Sequence, residues 1–289
     1  MSQGHGHVTT LAQIAADVLQ MPVENIDVVQ GDTKQVQAGH GTFNSRSMPV
    51  GGSAVHVCAG RIVAKAKKIA AQMMEIAAQD ISFEGGSFSI PGTNILPLSF
   101  AKVARMAYLG HVLPDGMEPG LDETLFYDPT GMGAPSGVHM AYVEVDPDTG
   151  MVDILDYVAV DDAGVIINPL LATGQIHGGV VQGIGQALYE EACYDCETGQ
   201  LLTGSLLDYA VPHADSLPKI RSQFQQTPSM TNPLGVKGIG ESGAIGAPPT
   251  IVHAVLDALA PLGITHLDMP LTPQKIWTAI RDARAEQSQ

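Results

Sequence analysis

Val138-His-Met-Ala-Tyr-Val-Glu-Val145 and Val152-Asp-Ile-Leu-Asp-Tyr-Val-Ala-Val160 flank Asp146-Pro-Asp-Thr-Gly150, and their reading decides the architecture. Apolar residues alternate in both runs, as in strands with one buried face, and the Pro-Asp-Thr-Gly link is a turn, so the pair reads as an antiparallel hairpin. On its C-terminal side, apolar spacing predicts a helix over 173–190, followed by a second hairpin around Gly199. Residues 228–249 are rich in Gly and Pro but weakly charged, which predicts a buried loop, and helices over 249–260 and 273–285 close the chain. On its N-terminal side, Thr9 and Thr10 are candidate caps for a helix with Leu11, Ile14, Ala15, Val18 and Leu19 on one face, ended by Pro22. A strand over 26–29, a loop over 39–52, a helix over 53–78 and irregular structure over 85–135 complete the reading. Strand pairs and helices without regular βαβ alternation predict an α+β fold with mixed sheets, β-hairpins and packed helices, in two lobes dividing near residues 80–137.

The bulk composition restricts what such a fold can bind. Acidic residues outnumber basic ones by 30 to 14 across 289 residues, for a net charge of −16. That argues against a nucleic-acid partner, which needs Lys and Arg for its phosphates. Any bound phosphate must be held locally, by backbone N–H groups and a few cations. Hydrophobic residues make up 45 %, yet no apolar run reads as a membrane span, and Met1-Ser-Gln-Gly-His-Gly-His7 lacks the features of a signal peptide. A cytoplasmic protein is expected. Three cysteines, Cys58, Cys193 and Cys196, make no disulfide framework and cannot ligate an iron–sulfur cluster, and Cys193-Tyr-Asp-Cys196 reads as a pair of hairpin cysteines.

Three segments have the small residues and donors that suit an anionic ligand: Gln3-Gly-His-Gly-His-Val-Thr9, Gly41-Thr-Phe-Asn-Ser-Arg-Ser47 and Lys237-Gly-Ile-Gly-Glu-Ser-Gly243. Arg46 and Lys237 are their local counter-charges. Gly238-Ile-Gly-Glu-Ser-Gly243 formally matches G-x-G-x-x-G, but no hydrophobic strand precedes it and Gly246-Ala-Pro-Pro249 follows, which speaks against a nicotinamide site. His5, His7 and His40 lack the ligand spacing of a zinc site, and no G-x-S-x-G elbow is present.

Taken in order, these segments resemble the second molybdenum-cofactor half of the xanthine dehydrogenase and aldehyde oxidase family of molybdenum hydroxylases. The similarity is greatest to the bacterial branch with carbon monoxide dehydrogenase-type large subunits. Gln3-Gly-His-Gly-His7 is similar to the family's Q-G-Q-G-H loop, with His5 where Gln is common. Gly41–Ser47 followed by Gly51-Gly-Ser-Ala54 is similar to its second cofactor loop. Ile167-Asn-Pro169, Gly174-Gln-Ile-His-Gly178, Gln182-Gly-Ile-Gly185, Asp208-Tyr-Ala-Val-Pro212 and Asn232-Pro-Leu-Gly-Val-Lys-Gly-Ile-Gly-Glu241 extend the similarity almost to the C-terminus.

The resemblance implies a molybdenum–molybdopterin dinucleotide, in the cytosine form common in bacteria, whose metal is held by the pterin and not by protein side chains. It implies that Gln3, Gly4, His5 and Gly6 face the cofactor, and that Thr42, Asn44, Ser45, Arg46 and Ser47 hold its polar and phosphate parts. Gln175 with Lys237, Gly238, Ile239 and Gly240 completes the cradle. Glu241 then corresponds to the catalytic base for oxidising a small substrate (an aldehyde, an N-heterocycle or CO) with water-derived oxygen. Ile239 and Ile245 are expected as apolar walls that desolvate it. Partners implied by the family are an N-terminal molybdenum-subunit half, an iron–sulfur subunit and an FAD subunit. A non-catalytic cofactor-binding or assembly module, or an inactive truncated fragment, is the alternative.

Overall fold

The computed structural model describes residues 1–36, 38–131 and 133–287. The chain forms two compact units: Met1–Gly133 with Ser229–Val236, and Ala134–Pro228 with Lys237–Gln289.

In the first unit, α1 (His7–Leu19) starts earlier than the threonines suggested. Gly6, at φ 72°, turns the chain into the helix, and its carbonyl accepts from the Thr9 and Thr10 amides, so both threonines lie inside the first turn. Residues 26–29 show the expected alternation of burial, but among the described residues they pair with no strand. The predicted loop over 39–52 is also shorter than expected, because Met48–Gly52 form a π turn that runs directly into α2 (Ser53–Met74). Gly52 is there for close packing: a Cβ would lie 3.1 Å from Ile14 Cδ1 and 3.2 Å from Leu234 Cδ1. α2 stops short of 78 at Glu75, whose left-handed backbone (φ 56°) ends it. β1 (Ser82–Glu84), β2 (Ser87–Ser89) and β3 (Leu98–Ser99) form an antiparallel sheet in that order, and α3 (Phe100–Met106) follows with its N-terminus capped by the Ser99 hydroxyl. Ile69, Phe88 and Val103 are fully buried at the centre of this unit.

In the second unit the decisive hairpin forms as expected, from β4 (Ser136–Val145) and β5 (Val152–Asp162) paired antiparallel with His139 opposite Ala159. Asp146 closes the turn by accepting from the Asp148 amide at 2.9 Å and the Thr149 hydroxyl at 2.7 Å. α4 (Pro169–Leu188) begins before 173 because Asn168 caps it, its side-chain oxygen accepting from the Leu171 amide at 3.0 Å. β6 (Ile220–Phe224), absent from the sequence reading, pairs parallel to β5, so β5, α4 and β6 form one crossover unit in a mixed sheet ordered β4-β5-β6. The second hairpin reduces to one bridge, Tyr194 with Leu201. α5 (Ser242–Leu259) starts well before 249 and carries Pro248 and Pro249 inside it, and α6 (Pro273–Gln287) ends the fold. Tyr157, Ile176, Ile184, Ile251, Val255, Ile276 and Ile280 form the core between sheet and helices. Contrary to the sequence reading, the stretch Ser242–Leu262 is long and apolar enough by length and composition to cross a membrane. Its buried face (Ala247, Ile251, Val255, Leu259) packs into that core.

Helices α4 and α5 cross at glycine. A Cβ on Gly179 would lie 2.8 Å from the Ala244 nitrogen, one on Gly243 2.6 Å from the Ile176 oxygen, and one on Gly183 2.6 Å from Ala247 Cβ. This crossing seats the start of α5, and therefore Glu241, against the helix that carries Gln175.

Candidate functional site

Two of the three candidate loops meet in the first unit. The Thr42 hydroxyl donates to the Met1 carbonyl at 2.7 Å and accepts from the Ser47 hydroxyl at 3.0 Å, which ties the loop of Gln3, Gly4, His5 and Gly6 to that of Thr42, Asn44, Ser45, Arg46 and Ser47. The first loop is ordered locally: the Gln3 amide donates to His5 Nδ1 at 3.1 Å, and the His5 amide to Ser2 Oγ at 3.2 Å. The His5 and His7 rings stack at 5.0 Å, and burial together with His5 holds the His7 imidazole below its ordinary pKa. Among the described residues no group of three or more His, Cys, Asp or Glu is arranged to hold a metal ion.

The second loop has an uncommon backbone. Gly41, Asn44 and Ser45 all have positive φ (81°, 57° and 49°), a conformation that costs a serine about 1 kcal/mol and is found at ligand-binding turns. Arg46 lies over the Phe43 ring at 5.4 Å, and a π turn follows it, another feature frequent at functional sites.

The remaining candidates lie in the second unit. Gln175 is on the first half of α4. Lys237 donates its backbone N–H to the Ala163 carbonyl at 2.8 Å, and its ammonium pairs with Asp162 at 2.9 Å. Lys237 thus arrives with a counter-charge at the end of β5, which the sequence reading missed. Burial works against ionisation of Asp162, but Lys237 and the Gly164 and Thr227 amides outweigh it and hold the carboxyl well below the usual range. A depressed carboxylate pKa stabilises the fold in full above the unfolded value of 3.8, and that contribution is lost progressively as pH falls from there through the lower folded value. Lys237→Met is therefore expected to destabilise the protein by about 2 kcal/mol at pH 7. In thermal unfolding, the gap from wild type should narrow below pH 3.8; a gap independent of pH would remove Asp162 as the cause.

Gly238, Ile239 and Gly240 lead to Glu241, the N-cap of α5. A helix does follow this glycine run, contrary to the expectation drawn from Pro248 and Pro249, while the preceding strand of a dinucleotide fingerprint is lacking. The apolar walls also differ from expectation: Ile239 packs against the core, Ile245 is 71 % exposed, and Glu241 is itself exposed. Cys193 and Cys196 are free thiols flanking the Tyr194–Leu201 bridge.

Residues 1–218 match the family model of the molybdopterin cofactor-binding domain, so the Glu241 segment lies beyond the matched range. Over 282 residues the chain is 40 % identical to the carbon monoxide dehydrogenase large chain of Hydrogenophaga pseudoflava, covering 98 % of this chain and 35 % of that one. It is 43 % identical over 281 residues to the nicotine 6-hydroxylase large subunit of Paenarthrobacter nicotinovorans, covering 97 % of this chain and 34 % of the relative. It superposes on the reconstituted CO dehydrogenase from Oligotropha carboxidovorans with a TM-score of 0.93 at 36 % identity, covering 99 % of this chain and 35 % of the other. The chain therefore spans about a third of the length of the curated relatives it matches. On these matches, the chain belongs to the molybdopterin cofactor-binding domain family, within the xanthine dehydrogenase and aldehyde oxidase type of molybdenum hydroxylases.

Proposed function

We propose that this chain holds the pterin cofactor of a molybdenum hydroxylase and supplies its catalytic base, Glu241. The observation that carries the reading concerns helix starts. α1, the π turn leading into α2, and α5 each begin at one of the three candidate loops, with no side-chain cap bond and no acidic residue in the first turn, and at α5 the N-cap residue is Glu241 itself. Such N-termini present backbone N–H groups and a positive dipole end to an anion.

The residues fit a pterin dinucleotide. Gly4 and Gly41 have open space where a Cβ would stand, and Ser242 Oγ, beside Glu241, is buried without a hydrogen-bond partner. Arg46 supplies the fixed positive charge that a pyrophosphate needs, and the Thr42, Ser45 and Ser47 hydroxyls stand near it in the chain, the Thr42 and Ser47 protons going to the Met1 carbonyl and to Thr42 Oγ until a ligand draws them away. Gln3, Gly4, His5 and Gly6, on the loop tied to this one through the Thr42–Met1 hydrogen bond, and Asn44, two residues before Arg46, are the further cofactor contacts in this reading. Gln175 on α4 and the amides of Gly238, Ile239 and Gly240 before α5 are further candidate donors, whereas the Lys237 amide is already given to the Ala163 carbonyl. When bound, the cofactor supplies a two-electron redox centre. Glu241 accepts, at a carboxylate oxygen, the proton that the water-derived oxygen loses as it attacks a small substrate. The relatives' names point to CO or an N-heterocycle as the substrate class.

Because the chain spans about a third of these relatives, its activity is that of a larger assembly. The assembly includes the other molybdenum-subunit half, an iron–sulfur subunit and an FAD subunit, in the cytoplasm, with the cofactor in its cytosine form. The test is metal analysis and nucleotide release on the purified complex. Wild type should yield molybdenum and a cytosine nucleotide together, whereas Arg46→Ala, losing a charge-assisted contact, should lower cofactor affinity about 10- to 100-fold. A different nucleotide would overturn the cytosine form, and unchanged cofactor content in Arg46→Ala would remove Arg46 from the cradle.

A further inference from the structure

Glu241 stands on a turn whose two ends are both fastened to the end of β5. Upstream, Lys237 is held by the Ala163 carbonyl and the Asp162 carboxylate. Downstream, Gly246 in α5 lies flat against the His139 ring: a Cβ there would be 2.6 Å from Nδ1 and 2.7 Å from Cε1. The ring is in turn fixed from β5, with Nε2 3.3 Å from Asp161 Oδ2 and Nδ1 2.9 Å from the Tyr157 hydroxyl. The His139 and Asp161 side chains are 4 % and 3 % exposed. The Thr250 hydroxyl donates to the Gly246 carbonyl at 2.8 Å. Gly137 makes room for the carboxylate, since a Cβ there would lie 2.6 Å from Asp161 Oδ1.

An apolar cluster of equal volume would bind this sheet to α5 as well as a buried polar one, because desolvating these groups offsets much of what they gain by pairing. What polar groups add is direction, since hydrogen bonds fix orientation where apolar contacts allow sliding. Adjacent carboxylates on β5, Asp161 and Asp162, thus hold the segments after and before Glu241 respectively.

We propose that Asp162 with Lys237, and Asp161 with His139 and Tyr157, form a mount that fixes where the Glu241 carboxylate sits, making these β4 and β5 side chains positioning residues. The proposal rests on the reading of Glu241 as the base. A proton acceptor displaced by about 1 Å loses on the order of 100-fold in rate. In the assembled enzyme, Asp161→Asn and His139→Gln are therefore expected to lower kcat per bound molybdenum by about 10- to 100-fold, with KM and cofactor content unchanged. Tyr157→Phe, which removes one hydroxyl, should do the same more weakly. Amide hydrogen exchange should quicken over residues 238–250 and stay unchanged in α6. Adding Asp161→Asn to Glu241→Gln should lower the residual rate no further, since the mount acts through the base.

Exchange that quickens throughout the second unit, with kcat per bound molybdenum unchanged, would overturn the mount and leave an ordinary core cluster. A further drop in the double variant would overturn it too. Full activity of Glu241→Gln would defeat the base assignment instead. The mount is then judged by exchange alone, with local quickening supporting it and general quickening rejecting it.

Discussion

Glu241→Gln, introduced into the assembled enzyme, is expected to lower kcat by about 10²–10⁴-fold while molybdenum and nucleotide content stay at wild-type levels. Glutamine has the shape of glutamate and keeps a carbonyl oxygen as acceptor, but it cannot take up a proton at working pH. Glu241 is the N-cap of α5 and is exposed, so the substitution introduces no cavity into the core. α5 places the positive end of its dipole beside this residue, which favours a carboxylate there by about 0.3–1 kcal/mol. That small term argues against a large folding penalty when the charge is removed. Measurement of kcat together with metal content separates chemistry from loading. Near-normal turnover in a fully loaded Glu241→Gln enzyme would sink the assignment, and loss of metal in step with activity would make Glu241 part of the cradle instead.

Gly243→Val is expected to be the most destabilising substitution in the second unit, costing about 3 kcal/mol or more. Its Cβ would meet the Ile176 oxygen at 2.6 Å, the Val180 nitrogen at 2.7 Å and the Gly179 carbonyl carbon at 2.9 Å. All three are backbone atoms of α4, so no side chain can rotate away and the helices must separate. Separation would open the core around Ile176, Val180, Ala247 and Ile251 and carry Glu241 off its seat. Gly178→Ala in α4 is the control, because Gly178 is exposed and a Cβ there meets nothing within 4 Å. Replacing a helical glycine by alanine should stabilise by about 0.5–1 kcal/mol. Thermal unfolding of the two variants should therefore move in opposite directions, and equal midpoints would refute the tight crossing.

The decisive hairpin was legible because its information is local: period-two alternation over Val138–Val145, and a turn that Asp146 closes through its own neighbours. α6 was legible for the same kind of reason, its Ile276 and Ile280 lying one turn apart on a buried face. β6 was not. Ile220-Arg-Ser-Gln-Phe224 is short and half polar, and becomes a strand because β5 offers a parallel edge after the crossover through α4. The start of α5 misled in a more instructive way. Ser242-Gly-Ala-Ile-Gly-Ala-Pro-Pro249 has a loop's composition, yet Gly243 serves the contact with α4 and Gly246 the contact with His139. Both are glycines required by neighbours and not by the backbone.

The candidate site divides along the same line. Its segments, the run of small residues and hydroxyls around Arg46, and the resemblance that orders them can be read along one dimension, because each is a matter of residue types at close spacing. The meeting of Thr42 with the first loop, the Asp162 partner of Lys237 and the packing of Gly246 on His139 join residues far apart in the chain. Sequence alone thus determined the hairpin, the periodicity of α1, α2, α4 and α6, and the residue types of the three loops. Only the tertiary structure decided which carboxylates stand beside which cations and which glycines admit a neighbouring helix, because such pairings depend on chain segments brought together by burial and no local periodicity encodes them.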